Sequence, residues 1–255
     1  MREDQEGFSM PLGAPAYVGP PYWARPEGKL LLAFFYTDTK ALEYEVPEPL
    51  ELASDPICLA WMSDLSQPPH TFEFYHECLT AIRVNFRDIT GWYINYIWSS
   101  NDQAVLLSRE VYGWPAQLCE NERLRYDGSQ ILAECNRNGV RLMRMVFNVT
   151  SPPPTKREEP LEDEFFKLLA GDFLQPRKIP SPEKDGKPLK HLIRIPAEDF
   201  KCHELWKGEA TLELGKSGYH PNLHRINPTQ IVAAYFLRSE WVVPYCKIIW
   251  KSSQL

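Results

Sequence analysis

A chain of 255 residues, 44% hydrophobic and 13% aromatic, is long enough to bury roughly 70–75% of its unfolded surface around one sizeable core, with no staple required. A formal net charge of −6 with no clustered run of Lys and Arg argues against a nucleic-acid partner, which wants a basic face. No apolar run approaches the ~20 residues of a membrane span, and the opening Met1-Arg2-Glu3-Asp4-Gln5-Glu6 lacks the apolar stretch of a secretory signal.

The six cysteines (Cys58, Cys78, Cys119, Cys135, Cys202 and Cys246) are scattered, with no C-x-x-C pair and no metal-ligand spacing. Reduced thiols, a cytoplasmic location and no metal or cofactor are therefore expected. The sequon Asn148-Val149-Thr150 is read as chance in that setting. Eight Trp and twelve Tyr supply flat, amphipathic rings for a core, for the walls of an apolar pocket, or for both.

In chain order, residues 1–28 are rich in Pro and Gly, carry no periodicity, and read as an arm. Leu30 to Tyr36 is a nearly continuous apolar run that suits a buried strand. Thr37-Asp38 can cap a short helix over 39–45, which Pro47 and Pro49 end. From Ile57 to Ser99 the composition is that of strands: Phe72, Phe74, Ala81-Ile82-Arg83-Val84, then Trp92 through Trp98. Ser100-Asn101-Asp102 caps a helix running to about Val111, with Ala104, Leu107 and Val111 on one stripe, and Gly113-Trp114-Pro115 stops it.

Turn signals at Asp127-Gly128 and at Asn136-Arg137-Asn138-Gly139 link three strands into an antiparallel meander ending at Asn148. Pro-rich residues 151–160 read as a loop within one domain spanning 1–255, followed by a short amphipathic stretch at Phe165, Phe166, Leu168 and Leu169. The basic stretch Lys184 to Arg194 reads as a solvated hairpin. Further strands are expected at His191 to Ile195, Ala210 to Leu214 and Trp241 to Trp250. The sum is a mainly β domain with two or three short helices, closed or sandwiched to protect its edges.

Several short motifs then agree in order and spacing with one family. They are Ser9-Met10-Pro11-Leu12, Gly19-Pro20-Pro21-Tyr22, Tyr36-Thr37-Asp38, and Val46-Pro47-Glu48-Pro49-Leu50-Glu51. Tyr75-His76-Glu77, Ser108-Arg109-Glu110, Trp114-Pro115, Glu204-Leu205-Trp206-Lys207-Gly208 and Ile231-Val232-Ala233-Ala234-Tyr235 continue the series. Over most of its length the chain resembles acetoacetate decarboxylase. The resemblance implies a double-sheet, cone-shaped β-barrel around a hydrophobic cavity, and assembly as a homo-oligomer.

It also implies two lysines after the proline of the catalytic element, one forming a Schiff base and the other helping to keep it neutral. Here those positions are Ala116 and Gln117, and no lysine lies between Ala41 and Thr155. The family's active-site arginine falls at or near Gly28, beside Lys29; one pocket acid falls at Trp61, and the other is kept as Glu77.

Chemistry with these parts must avoid an imine. Glu77 is the first catalytic candidate: among apolar neighbours its pKa would rise, so it could shuttle a proton near neutrality. The alternative is an ion pair with Arg83 or Arg109. Gln117 is the second, as a hydrogen-bond donor to a developing enolate, or else an ordinary helix-end glutamine. Trp61, Trp114, Ala116, Tyr93, Arg83 and Arg109 make up the expected substrate-binding set. Trp61 and Trp114 serve either as flat walls or as core, and Arg109-Glu110 is first of all a brace for the helix. His76 cannot form a dyad with Glu77, because neighbours on a strand point to opposite faces. His220 and His224 have helical spacing, but Pro221 argues against a helix and thus against a metal site.

Two readings follow. The first is a lyase- or isomerase-type tailoring enzyme of secondary metabolism, acting by cyclisation, pericyclic ring closure, dehydration or isomerisation on a hydrophobic polyketide-like or β-carbonyl substrate. The second is a non-catalytic binder of a hydrophobic metabolite. A non-imine decarboxylase stays open beside them, and so does an imine formed by a distant lysine such as Lys29 or Lys207.

Overall fold

The computed structural model describes residues 8–11, 14–24, 28–66, 74–121, 123–150, 164–169, 171–196 and 198–252. The Pro-rich stretch 151–160, Phe72 and the start of the arm lie outside them.

In chain order the strands are β1 (Tyr22–Ala24), β2 (Lys29–Tyr36), β3 (Glu51–Leu52), β4 (Cys58–Ser66), β5 (Phe74–Phe86), β6 (Ile89–Ser99), β7 (Ala116–Leu118) and β8 (Glu120–Asn121). They continue as β9 (Arg125–Asp127), β10 (Gln130–Arg137), β11 (Val140–Val149), β12 (Phe173–Ile179), β13 (Leu189–Ile195), β14 (Glu198–Leu214), β15 (Gln230–Val243) and β16 (Lys247–Lys251). The helices are α1 (Thr39–Glu45), α2 (Asp102–Glu110) and α3 (Glu164–Leu169), with a 3-10 turn at Leu223–Ile226.

Hydrogen bonding links the strands in the order β16-β13-β12-β6-β5-β4-β2-β15-β14-β11-β10-β8. The mostly β architecture stands, but the expected closed barrel does not. The path has two ends, because β16 pairs only with β13, β8 only with β10, and neither end reaches the other among the described residues. The sheet instead folds over itself. The arm carrying β10 and β11 places Ile131, Met143, Met145 and Phe147 in one core with Leu31, Cys78, Ile82 and Trp98 of the central strands. The opposite face of those strands forms a second core with α2, β13 and the N-terminal segment.

This arrangement explains the unbroken apolar run of β2. Leu31, Ala33 and Phe35 enter one core, and Leu30, Leu32 and Phe34 enter the other, so both faces are covered and no alternation is needed. Full burial of each large side chain contributes about 1.5–3 kcal/mol. The same alternation holds on β5, where Cys78, Ile82 and Val84 face the first core while Tyr75, Leu79 and Ala81 face the second.

Both helix starts are capped as the sequence suggests. Asp38 accepts from Lys40 N at 3.1 Å and Asn101 from Ala104 N at 3.0 Å, each cap worth about 1 kcal/mol. On α2 the buried residues are Ala104, Leu107 and Ser108; Val111, the C-cap, is half-buried and packs against the same core as Ala104 and Leu107. The chain then reverses at Gly113, whose φ of +66° suits glycine, and where a Cβ would come within 2.7 Å of Arg177.

Two expectations change. The arm adds β1, which pairs with β15 from Tyr22↔Val243 to Ala24↔Trp241. The stretch Trp241 to Trp250 is two strands rather than one, divided at Pro244, which has no N–H to donate. The hairpin expected around Lys184 forms between β12 and β13, closing at Ile179↔Leu189.

Candidate active site

A cavity lies on the second-core face of the central strands, with about 1040 Å³ of empty space when the open solvent at its mouth is included. Its floor is Leu30 of β2, Trp61 and Leu65 of β4, Tyr75, Glu77 and Leu79 of β5, and Ile94 and Ile97 of β6. One wall comes from α2 (Ala104, Leu107, Ser108) and the turn after it (Tyr112, Trp114). The other comes from distant segments: Tyr22, Leu169, Phe173, Ile195, Pro196, Phe200 and Trp241 to Val243. Strand alternation puts the odd-numbered β5 residues on this side, and so it brings Glu77 to the cavity.

Glu77 sits in the middle of the floor, with β5 paired on both sides at Ser63↔Glu77 and Glu77↔Ser99. It is half-buried and lines the cavity among mostly apolar neighbours. Burial, aided by the neighbouring Cys119, pushes its pKa up from the ordinary 4.5 to about 8, because a low-dielectric surround disfavours the charged form. Among the described residues no hydrogen bond reaches this carboxyl. The ion-pair alternatives are not formed: Arg109 Nη1 donates to the Ala116 carbonyl at 3.2 Å, and Arg83 lies over the Trp92 ring at 5.2 Å. His76 points to the other face, its Nδ1 2.7 Å from Asp64 Oδ1.

Trp61 meets Trp241 edge to face at 5.5 Å, and Trp114 stacks on Tyr112 at 4.7 Å with Phe173 at its edge. Both lining indoles keep a buried N–H without a partner among the described residues, an arrangement that ordinarily costs about 1–3 kcal/mol. The Tyr112 hydroxyl donates to the carbonyl of Pro244 at 3.1 Å, and the Tyr22 hydroxyl donates to that of Val18.

The remaining expected site residues are not brought to the cavity. Ala116 is 1% exposed in the wall behind it, paired with Ile97. Gln117, next along β7, therefore turns to the opposite face beside Trp98, where Arg137 Nη1 donates to its Oε1. Tyr93 packs against the first core. Arg83 and Arg109 help build the frame, the second tying the end of α2 to β7 and lying exposed. His220 accepts from Trp98 Nε1 at 3.0 Å, and burial lowers its pKa to about 4.

Ser108, Tyr22, Phe173, Phe200 and Trp241 also line the cavity, and none of them is among the site residues expected from sequence. The i, i+3, i+4 relation of Ala104, Leu107 and Ser108 could have found the serine. The other four are brought in by long-range pairing that leaves no local signal.

The fold is that of solved acetoacetate decarboxylases. A structure from structural studies of acetoacetate decarboxylase superposes with a TM-score of 0.86 over 100% of both chains, at 22% identity. An acetoacetate decarboxylase-like enzyme from Sphingomonas wittichii RW1 superposes with a TM-score of 0.81, covering 96% of this chain and 100% of the other, at 16% identity.

The sequence carries the relationship further. The model of the acetoacetate decarboxylase family matches residues 9–253, and the chain belongs to that family. Acetoacetate decarboxylase 2 of Mesorhizobium japonicum is 29% identical over 245 residues, covering 95% of this chain and 88% of the relative.

Proposed function

We propose that this protein is an enzyme that uses its cavity for proton transfer without an imine. Its substrate is a hydrophobic polyketide-like or other β-carbonyl metabolite of secondary metabolism. What supports this reading is Glu77, a carboxyl lining an apolar cavity, whose pKa burial raises to about 8. Such an acid donates to a carbonyl oxygen, gives up its proton as an enol forms, and takes one back from carbon. The rigid walls hold a flexible chain in one reactive conformer, which lowers the entropic part of the barrier. Cyclisation, dehydration and isomerisation draw on both services, whereas pericyclic ring closure moves no proton and draws on the conformer restraint together with a hydrogen bond from the acid to the carbonyl. Ala116, where the family motif carries a lysine, offers no amine, and among the described residues no lysine lines the cavity.

The test is a mass-spectrometric comparison of metabolite extract treated with wild-type protein and with Glu77→Gln. A compound consumed by the wild type alone supports the assignment, and loss of its consumption in Trp114→Ala supports the cavity as its site. If both substitutions leave turnover untouched, this account of the site is wrong. The missing amine also favours a second reading, a binding protein. A compound retained by both proteins and changed by neither would establish it.

A further inference from the structure

Several elements that build the cavity carry basic residues, yet among the described residues none of these lines it. Lys29 of β2 lies over the Tyr126 ring at 5.0 Å. On β5, Arg83 covers Trp92 and His76 pairs with Asp64. Arg109 of α2 is bonded to the Ala116 carbonyl. Arg194 of β13 pairs with Asp172, and Arg238 of β15 with Glu204 at 2.7 Å. Among the described lining residues the one carboxyl is that of Glu77, so an anionic ligand meets no cationic side chain there in either protonation state of that acid.

We propose that the cavity selects an uncharged carbonyl compound and rejects any substrate with a free carboxylate. An anion entering this site would lose its hydration and gain no counter-charge, a penalty of several kcal/mol even after relaxation. A ketone, ester, lactone or amide has no such cost. Its oxygen can accept from the Glu77 carboxyl or, after a turn of either ring, from the unpartnered indole N–H of Trp61 or Trp114. It follows that the reaction supplying this substrate must leave its carboxyl group esterified, amidated or already lost. The inference rests on the cavity being the substrate site, as proposed above.

The experiment measures binding to the wild-type protein at pH 7 by tryptophan fluorescence and calorimetry, with three probes of similar size. Heptane-2,4-dione is uncharged, 3-oxohexanoate replaces its terminal methyl ketone by a carboxylate, and heptylamine supplies a cation. The dione is expected to bind on the order of 100-fold or more tighter than the acid, the scale of an unpaired buried charge, and tighter than the amine. Equal or tighter binding of the acid overturns the inference, as does tightest binding of the amine or binding of none of the three. These outcomes are separate from the turnover test, since an acid-binding cavity could still depend on Glu77 for reaction.

Discussion

Replacing Glu77 by glutamine should change how stability depends on pH in a direction the structure dictates. The carboxyl titrates near 4.5 in the unfolded chain and near 8 in the folded one. As pH rises past about 4.5 the unfolded state releases its proton first, so the folded state loses relative stability until about pH 8, above which the loss is complete. Each tenfold change in proton affinity is worth about 1.4 kcal/mol, giving a ceiling of roughly 5 kcal/mol. Glu77 keeps part of its surface accessible within the cavity, and water there relaxes part of the charge. A loss of about 2–4 kcal/mol between pH 5 and pH 9 is expected.

Glutamine keeps the size and polarity of the protonated acid without titrating. Urea unfolding should therefore find the two proteins similar at pH 5 and Glu77→Gln more stable by that amount at pH 9. Other groups, including the half-buried Glu45 and the buried His220, titrate equally in both proteins and drop out of the difference. A wild-type-minus-variant difference that stays constant from pH 5 to pH 9 would refute the reasoning.

Two further outcomes are expected. Borohydride reduction with acetoacetate or pyruvate should leave no mass adduct on the wild-type protein, because no lysine among the described residues lines the cavity; a stable adduct would reinstate an imine. Gly208→Ala should lower stability by about 1–3 kcal/mol through overpacking. A Cβ at that position would meet the Asn148 carbonyl at 2.1 Å inside the β11–β14 ladder, and an unchanged urea midpoint would contradict that close approach.

The parts of this molecule that could be read from sequence are those fixed by neighbours along the chain. The buried run of β2, the Asp38 and Asn101 caps, and the opposite orientation of His76 and Glu77 all follow from periods of two or four residues. What could not be read depends on register between distant segments. Tyr22 to Ala24 has no strand pattern of its own and becomes β1 through pairing with β15. Ala116 and Gln117 alternate on any strand, but which of them turns from the cavity is set by the pairing of Ala116 with Ile97. The same holds for Trp241 and Phe200, wall residues contributed from far along the chain. β14 was visible only at its end, because most of its residues are exposed or half-buried and so show little apolar alternation.

The central claim is that the cavity carboxyl is protonated at neutral pH, and infrared difference spectroscopy measures this directly. Spectra of wild-type protein minus Glu77→Gln, recorded from pH 5 to pH 10, isolate the carbonyl stretch of the Glu77 carboxylic acid. This band is expected at pH 7, giving way to carboxylate absorption near pH 8. A carboxylate already formed at pH 6, with no acid band left to titrate, would contradict that claim.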